Sequence, residues 1–266
     1  MDNFITYKTS SPAGDLISFL AGIKQMHKET GKKGVVYQRL NMVGVGYAEA
    51  IHPYSNQEGE PVAMTKEGFN MLVPLLRSQD YIEDYRIYNG EEIDMDFDLI
   101  RLERYTGQPN TSLARWYSYV FPQMSSDLSK PHLKIYGKEP NNKVVINFTQ
   151  RYRNHIICYN FLREYQDKII FAGIKKERDL FCEQWGLDIP LLEVKDFLEL
   201  ARVINNSLFF LGNASMCFQI AEALKVPRIL ETFPRMPNVI PTGENAFDYY
   251  GQSEIEFYFR KLINKK

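Results

Sequence analysis

The feature that most constrains this chain is an alternation of short apolar runs with segments of helical spacing. Near the N-terminus, residues 3–8 predict a strand, the apolar residues from Leu16 to Met26 recur at helical spacing, and residues 35–40 predict a second strand. Residues 10–14, between the first strand and the helix, are small or turn-forming. A strand, a helix and a strand in this order form a βαβ unit with two parallel strands. The sequence therefore predicts an α/β fold from its N-terminal segment.

The same alternation returns in the second half of the chain. Strands are predicted at residues 144–148, 168–172, 191–194, 208–211 and 228–230, with helical patterns between them and a last helix over 253–263. Two such runs predict two Rossmann-like lobes with parallel sheets and a ligand site in the cleft between the lobes. Pro, Gly and Asn accumulate over residues 131–142, so we place the linker there and predict domains at 1–135 and 136–266.

The middle of the chain contains two predicted helices and one predicted strand. Residues 65–78 and 112–120 have helical patterns, and residues 97–102 are predicted to be a strand. The order of these elements in the sheet stays open. The segment from Asp94 to Asp98 contains an overlapping Asp-x-Asp pattern, and two-residue spacing on a strand puts its carboxylates on one face. The pattern indicates either a metal site or a half-exposed acidic strand, and we favour the strand.

Composition argues against several classes of protein. Of the 266 residues, 44% are hydrophobic and 24% are charged, which is the balance of a globular chain and not of a disordered one. The formal net charge of -1 provides no overall attraction to nucleic acid or to an anionic membrane. The first residues do not resemble a secretory signal, and no apolar run approaches the roughly 18 residues of a membrane span. We therefore expect a cytoplasmic protein without a membrane span.

Cysteine and histidine usage predicts no metal and no cofactor. Cys158, Cys182 and Cys217 lie far apart in stretches with helical patterns and are predicted to be buried, reduced thiols. The histidines form no HExxH motif and lie apart from one another, at His27, His52, His132 and His155. No P-loop, GxSxG elbow or complete GxGxxG follows a predicted strand, which argues against nucleotide hydrolysis, α/β-hydrolase chemistry and dinucleotide redox chemistry.

The most informative local pattern begins at residue 208. An apolar strand over 208–211 runs into a turn of small residues, Gly212, Asn213 and Ser215 among them, and then into a helical pattern. A helix N-terminus after a parallel strand binds anions, because its unpaired N–H groups and its dipole both favour a phosphate there. The alternative is that Gly212 and Asn213 only form the turn while Ser215 caps the helix.

The block from Gly212 to Pro227 resembles, without a gap, the block G-N-D-S-G-P-M-H-L-A-A-A-L-G-V-P of heptosyltransferase-like glycosyltransferases, which have the two-lobed GT-B fold. The positions that agree are Gly212, Asn213, Ser215, Ala221, Ala223, Leu224, Val226 and Pro227. The family's Asp, Gly and His, which help to shape its sugar-nucleotide site, are replaced here by Ala214, Met216 and Gln219. The resemblance implies a GT-B fold whose donor-site motif is eroded.

A second resemblance lies at the start of the first predicted helix. Gly14 and Asp15 match the G-D motif of the same family, and the resemblance implies that Asp15 is the general base. A base that takes a hydroxyl proton works best when it is partly desolvated in a cleft. The alternative is a carboxylate that only stabilises the helix start through its N–H groups and dipole.

Side chains that follow the strands of the second lobe are candidates for binding the donor. Thr149, Arg151 and Arg153 come directly after the strand at 144–148, and the carboxyl ends of parallel strands face the ligand crevice. The two arginines would bind a diphosphate through charge-assisted hydrogen bonds, unless this segment is a solvated basic loop. Lys175 or Lys176 would reach a phosphate, although two adjacent lysines are more often simple surface. Glu193 would hold ribose hydroxyls or, equally, cap the helix that starts near Asp196.

The resemblance implies a glycosyltransferase that moves a sugar from a nucleotide-sugar donor on the second lobe to a glycan or other hydroxyl acceptor on the first. Transfer would be a single inverting displacement without a metal. The alternative is a non-catalytic binding or structural module that keeps the GT-B frame, and its evidence is Ala214, Met216 and Gln219. A transferase acting on nucleic-acid bases is a third possibility, but it would need a basic groove, and the near-neutral charge argues against nucleic acid as a partner.

Overall fold

The computed structural model describes residues 3–43, 54–56, 58–102, 111–137 and 139–265. Contacts between residues divide the chain into two compact units. The first contains Met1–Leu128 with Asp196–Leu198, and the second contains Ser129–Lys195 with Glu199–Lys266. The predicted boundary between residues 135 and 136 falls inside the second unit, and the predicted cleft between the lobes stays a prediction.

The first unit contains a sheet of four parallel strands in the order β3, β2, β1, β4. Its elements along the chain are β1 (Phe4–Thr9), α1 (Ala13–Thr30), β2 (Lys33–Gln38), α2 (Lys66–Arg77), β3 (Ile82–Ile87) and β4 (Met95–Asp96). In the register, Phe4 of β1 lies opposite Lys33 of β2. This pairing confirms the βαβ unit predicted from the N-terminal segment.

Helix α1 has a start and an end that its sequence explains. Pro12 precedes the helix with an extended backbone, and Gly31 ends it at a φ of 71°, in the left-handed region that glycine adopts without strain. The Gly31 N–H donates to the His27 carbonyl at 2.8 Å. All residues from Leu16 to Ile23 are buried, and so is Met26, so the middle of the helix is enclosed on every side. The helix therefore covers one side of the first sheet and fixes where its first turn lies.

The strand predicted at residues 97–102 is wrong, because a 3₁₀ helix occupies Phe97–Arg101. The Asp96 side chain caps this helix by accepting from the Asp98 N–H at 3.0 Å. Phe97 and Ile100 are both fully buried, and a spacing of three residues puts them on one side of a 3₁₀ helix. The predicted helix at 112–120 is a 3₁₀ turn, Leu113–Arg115, followed by the short helix α3, Trp116–Val120.

The second unit contains a sheet of six parallel strands in the order β10, β9, β8, β5, β6, β7. Its strands are β5 (Val144–Asn147), β6 (Ile169–Ala172), β7 (Leu191–Leu192), β8 (Phe209–Asn213), β9 (Arg228–Glu231) and β10 (Ala246–Tyr249). Its helices are α4 (Lys175–Trp185), α5 (Phe197–Asn205, apart from its first two residues), α6 (Met216–Leu224) and α7 (Gln252–Ile263), with a 3₁₀ helix over Asn160–Lys168. Two parallel sheets with helices between the strands confirm the predicted α/β class.

Two edge strands, β3 and β10, were not predicted because their apolar patterns are weak. The sequence of β3 carries charged residues at Glu83, Asp84 and Arg86, and the only buried residue of β10 is Tyr249, at the end of the strand. An edge strand needs fewer apolar residues than a central one, so its pattern is weaker. The five strands predicted in the second unit are all present with small changes at their ends.

The predicted linker lies against the second unit. Residues 131–137 and 139–143 form neither a helix nor a strand. His132 and Leu133 both donate their N–H groups to the Ala223 carbonyl, and Asn141 donates to the Asn206 carbonyl at 3.0 Å. Among the described residues, no helix is long and apolar enough to cross a membrane.

The three cysteines are free thiols, as predicted, but they differ in position. Cys182 and Cys217 are buried in helices α4 and α6. Cys158 is only half-buried and lies in a segment that forms no helix, so the prediction of a helix there is wrong.

Candidate functional site

The tips of β5 and β8 meet where the strand order of the second sheet reverses. From β5 the chain first adds β6 and β7 on one side and then returns to add β8 on the other. Asn147 of β5 lies opposite Gly212 of β8, and a Cβ atom on Gly212 would lie 2.3 Å from the Asn147 carbonyl oxygen. Only glycine fits such a close backbone approach. Ligands of open α/β sheets bind at this kind of reversal, outside the carboxyl ends of the strands.

Asn213 connects the end of β8 to the loop that follows β5. Its side chain is fully buried. Its Oδ1 accepts from the Thr149 N–H at 3.0 Å, and its Nδ2 donates to the carbonyl oxygens of Thr149 at 3.1 Å and Arg151 at 2.5 Å. One amide therefore satisfies three backbone groups of the loop, which fixes the positions of Thr149 and Arg151 at the edge of the sheet.

Ser215 caps helix α6, as the alternative interpretation of this segment predicted. Its Oγ accepts from the Phe218 N–H at 3.2 Å, and the helix begins at Met216. The first N–H groups of any α-helix have no carbonyl partner within the helix, so the start of α6 presents donors and a positive dipole end beside the loop that Asn213 holds. Of the residues that replace the family's Asp, Gly and His, Ala214 and Met216 are half-buried and Gln219 is buried.

Arg151 carries the cationic group of this edge. The residue is half-buried, and its Nε is a buried nitrogen without a hydrogen-bond partner among the described residues. Its charge acts on Glu177, in the first turn of α4. Burial raises the pKa of the Glu177 carboxyl, and the positive charge of Arg151 opposes part of that rise. The guanidinium therefore has donor capacity that the described residues do not use.

Arg153 does not face the ligand edge, which corrects the prediction that it would bind a diphosphate. Its side chain is only 8% exposed, and its Nε donates to Glu231, which is fully buried, at 2.9 Å. Its guanidinium also lies over the ring of Phe148 at 4.9 Å from the ring centre. The Arg153 side chain points into the core, where it neutralises the Glu231 carboxylate at the end of β9. The pair connects the loop after β5 to the end of β9.

Lys175 and Glu193 lie where the chain leaves β6 and β7. Lys175 is the first residue of α4, its side chain is 73% exposed, and its Nζ binds Asp179 of the same helix at 2.5 Å. Glu193 is exposed directly after β7. The structure thus places both near the carboxyl edge of the sheet but on its surface, where they are weaker candidates than Arg151.

In the first unit, Asp15 lies in the first turn of α1, directly after Gly14. Its Oδ2 forms an ion pair with Nη2 of Arg101, the last residue of the 3₁₀ helix Phe97–Arg101. The Asp15 side chain is 17% exposed and that of Arg101 is 27% exposed. Asp15 is therefore neither a fully solvated helix cap nor a buried acid, but a partly desolvated carboxylate that is paired, among the described residues, with Arg101.

The aspartates of the Asp-x-Asp pattern all bind β1 or the residue just after it. The pairs are Asp94 with Thr6 at 2.8 Å, Asp96 with Lys8 at 2.6 Å, and Asp98 with Ser10 at 2.6 Å. The three aspartates point toward β1 because β4 pairs with β1 in parallel. Among the described residues, no group of three or more His, Cys, Asp or Glu side chains is placed to hold a metal ion; His52 lies outside them.

Comparison with known proteins identifies the fold. No family model matches the chain, and no curated protein matches it by sequence. Among solved structures, E. coli heptosyltransferase WaaC with ADP is similar with a TM-score of 0.60 at 9% identity, covering 97% of this chain and 99% of that one. E. coli ADP-heptose lps heptosyltransferase II gives 0.58 at 11% identity, covering 98% of both. The chain has the GT-B fold of the heptosyltransferases.

A third structure with this fold is a family 9 glycosyltransferase from Veillonella parvula DSM 2008, with a TM-score of 0.51 at 13% identity over 98% of this chain and 89% of that one. At these identities the likeness is one of fold alone. It confirms the GT-B fold that the sequence resemblance implied for this chain. It leaves the activity to be argued from the side chains.

Sequence reasoning missed two residues of this GT-B chain that contact the candidate sites. Arg101 lies in a segment predicted as a strand, so nothing indicated that it would reach Asp15. Asn147 was predicted only as part of β5, yet its buried side chain donates to the Ala172 carbonyl at 2.6 Å. A polar residue at the end of an apolar strand is the one signal that would have identified Asn147.

Proposed function

We propose that this chain transfers a sugar from a nucleotide-sugar donor, held by the second unit, to a hydroxyl of an acceptor held by the first. The observation that carries the proposal is the edge where Asn213 binds the backbone carbonyl of Arg151 beside the N-terminus of α6. A guanidinium on an ordered loop and unpaired backbone N–H groups are the two features that favour a diphosphate. The structural neighbour WaaC is described with ADP and with ADP-2-deoxy-2-fluoro heptose, which supports the same class of donor here.

Arg151 and the start of α6 stabilise the leaving group in this proposal. The acceptor oxygen attacks the anomeric carbon of the sugar, and the bond from that carbon to the phosphate oxygen breaks. The nucleoside diphosphate leaves with the electron pair, and the configuration at the anomeric carbon inverts. Negative charge grows on the diphosphate as the bond breaks, so donors that are already in place lower the barrier.

Asp15 is the proposed general base. It takes the proton of the acceptor hydroxyl as the new glycosidic bond forms, which balances the charge of the step. Its partial exposure, 17%, suits this role, because a base must be reached by the acceptor and still be shielded from bulk water. Gly14 precedes it in the same helical turn and brings no side chain toward the acceptor.

The remaining candidate residues have smaller roles. Thr149, Gly212, Asn213 and Ser215 shape the backbone of the donor edge through the contacts described above. Lys175 and Glu193 are proposed as outer contacts to a phosphate and to ribose hydroxyls. Arg153 has no part in binding the donor, because its guanidinium is committed to Glu231.

A second candidate function is a non-catalytic module with a GT-B fold. It is favoured by the replacement of three family residues by Ala214, Met216 and Gln219, and by the loss of Arg153 from the edge. Such a module would keep the frame without binding a donor. The two candidates therefore differ in nucleotide binding.

A thermal-shift panel separates the two candidates. The full chain is heated with ADP, UDP, GDP, CDP and the corresponding nucleotide sugars at millimolar concentration. A ligand that binds only the native state at a hundred times its Kd stabilises by about 2.7 kcal/mol, which gives an easily measured rise in melting temperature. The transferase proposal expects such a rise with at least one nucleoside diphosphate and its sugar. No rise with any member of the panel would favour the non-catalytic module.

A further inference from the structure

Asp15 and Arg101 come from different segments but meet at the carboxyl edge of the first sheet. Asp15 lies at the start of α1, after β1, and Arg101 ends the 3₁₀ helix that follows β4. The contact joins Nη2 of Arg101 to Oδ2 of Asp15. It therefore engages one oxygen of the proposed base, and it comes from the side of a neighbouring strand.

The position of Arg101 is fixed by the packing of its own segment. Phe97 and Ile100 of the same 3₁₀ helix are fully buried. Asp98, between them, accepts from both the N–H and the Oγ of Ser10 at 2.6 Å. The turn that carries Arg101 is thus anchored in the core on one side and to the loop before α1 on the other.

A second contact joins Arg101 to the loop that leads into Asp15. Its Nε lies 3.5 Å from Oγ of Ser11, a residue that is 1% exposed. The guanidinium therefore touches the loop and the first helical turn together, and this limits its rotation. A rigid fork of this kind orients a carboxylate better than a mobile surface cation does.

The other charged groups at this edge have partners of their own. Lys8 binds Asp96 at 2.6 Å and lies 3.7 Å from Asp98, and Arg39 also lies 3.7 Å from Asp98. Among the described residues, the cation that directly contacts Asp15 is Arg101, while the start of α1 contributes the positive end of its dipole.

We infer that Arg101 is a positioning residue for Asp15, keeping its carboxylate ionised and holding Oδ2 so that Oδ1 takes the acceptor proton. The inference rests on the proposed function, in which Asp15 is the base. An ion pair that merely tied two surface segments together would contribute little to either the orientation or the ionisation of its carboxylate. The two interpretations therefore differ in how strongly the charge state of Asp15 depends on Arg101.

The test is a pH titration of Asp15 in the full chain. The readout is the NMR signal of aspartate labelled with ¹³C at Cγ. The Asp15 signal is assigned by its loss in Asp15→Asn. Removing an adjacent guanidinium moves the titration of a carboxylate upward by about 1 to 3 pH units. We expect the midpoint for Asp15 to rise by at least about one pH unit in Arg101→Gln, while Arg101→Lys restores most of the wild-type midpoint because it keeps the charge.

Arg39→Gln is the matched control, since it removes a cation from the same edge whose partner is Asp98. It is expected to leave the Asp15 midpoint unchanged within a few tenths of a unit. An equal midpoint in wild type and Arg101→Gln would overturn the inference. If Arg101→Gln does not fold, the reciprocal measurement decides: phenylglyoxal should modify Arg101 several times faster in Asp15→Asn than in wild type, and an equal rate would contradict the pairing.

These measurements use no nucleotide, so they succeed or fail independently of donor binding. If the Asp15 midpoint rises in Arg101→Gln but no nucleotide binds, the pairing is supported and the transferase proposal fails. If a nucleotide binds but the Asp15 midpoint is unchanged in Arg101→Gln, the transferase proposal stands and the inference about Arg101 fails.

Discussion

Nδ2 of Asn213 lies 2.5 Å from the carbonyl oxygen of Arg151, across the boundary between two neighbouring parallel strands. The contact connects the residue that ends β8 to the loop that ends β5. The Asn213 amide therefore orders the loop that carries the Arg151 cation. One buried side chain thus connects the sheet to the loop that contains Arg151.

Replacing Asn213 with Ala is expected to loosen this loop. Three backbone groups, on Thr149 and Arg151, would lose their partner in a buried environment. Each unsatisfied buried group costs about 1–3 kcal/mol, so the free energy of unfolding should fall by at least that much. Urea denaturation followed by circular dichroism measures the change. Asn206→Ala is the comparison elsewhere in the second unit; there the side chain accepts from the Glu139 N–H in an exposed place, and a smaller loss is expected.

The buried pair of Arg153 and Glu231 should show strong coupling in a double-mutant cycle. Breaking a buried pair by removing one partner costs about 3–5 kcal/mol, because the other charge stays behind in the core. We expect Arg153→Met and Glu231→Gln to be strongly non-additive, by at least about 1 kcal/mol. The exposed pair of Arg260 and Glu256, at 2.8 Å on α7, is the control and should couple by only about 0.3–0.5 kcal/mol. Similar coupling in both pairs would show that Arg153 is solvated.

Gly212→Ala is expected to be severe, because the new Cβ would lie 2.3 Å from a backbone oxygen that cannot rotate away. The strands β5 and β8 must separate to admit it, at a cost of about 1–3 kcal/mol or more. Gly68→Ala in α2 is the matched control, since its closest contact would be the flexible Met64 side chain, at 3.2 Å. The two melting temperatures make the comparison, and equal effects would argue against a close approach at Gly212.

Glu177 should make stability depend on pH. Burial raises the pKa of its carboxyl above the usual range, so the native state binds the proton more tightly than the unfolded chain does. The charged carboxylate therefore lowers stability above the native pKa, and this loss disappears as the pH falls through the native pKa and below the unfolded one. Glu177→Gln should melt higher than wild type at about pH 7.5, and the difference should shrink near pH 4, around the unfolded pKa of a glutamate.

The control for this experiment is Glu183→Gln on the exposed side of the same helix. It is expected to change the melting temperature little at either pH. If the difference in melting temperature between Glu177→Gln and wild type is the same at both pH values, the ionisation of the Glu177 carboxyl does not cause the pH dependence of stability.

The sequence predicted the fold well where apolar patterns are strong. The strands at residues 144–148 and 208–211 were both identified from short apolar runs, because central parallel strands are buried on both faces. The turn predicted at Gly212 and Asn213 is wrong, since both residues belong to β8, which ends at Asn213. The edge strand β3 was missed because its charged residues face solvent. Local pattern therefore identifies the central strands of each sheet more readily than an edge strand that carries charged residues, although the edge strand β7 was identified.

The candidate site was predicted less completely, since its residues depend on contacts between distant segments. Arg151 and Arg153 are identical in type and two residues apart, yet one lies at the edge and the other in the core. The two arginines differ because Arg153 pairs with the buried Glu231, which lies far away in the sequence. Arg101 was missed for the same reason, because its role depends on a turn that brings it to Asp15.

The most direct test of the central claim is calorimetric titration of the full chain with the nucleoside diphosphate that gives the largest thermal shift. Arg151→Ala removes the proposed cation of the donor edge, and Arg260→Ala removes an exposed arginine of α7 as a matched control. The account predicts that Arg151→Ala weakens binding by about tenfold or more, equivalent to about 1.4 kcal/mol, while Arg260→Ala binds like wild type. Equal affinity in wild type and Arg151→Ala would contradict it.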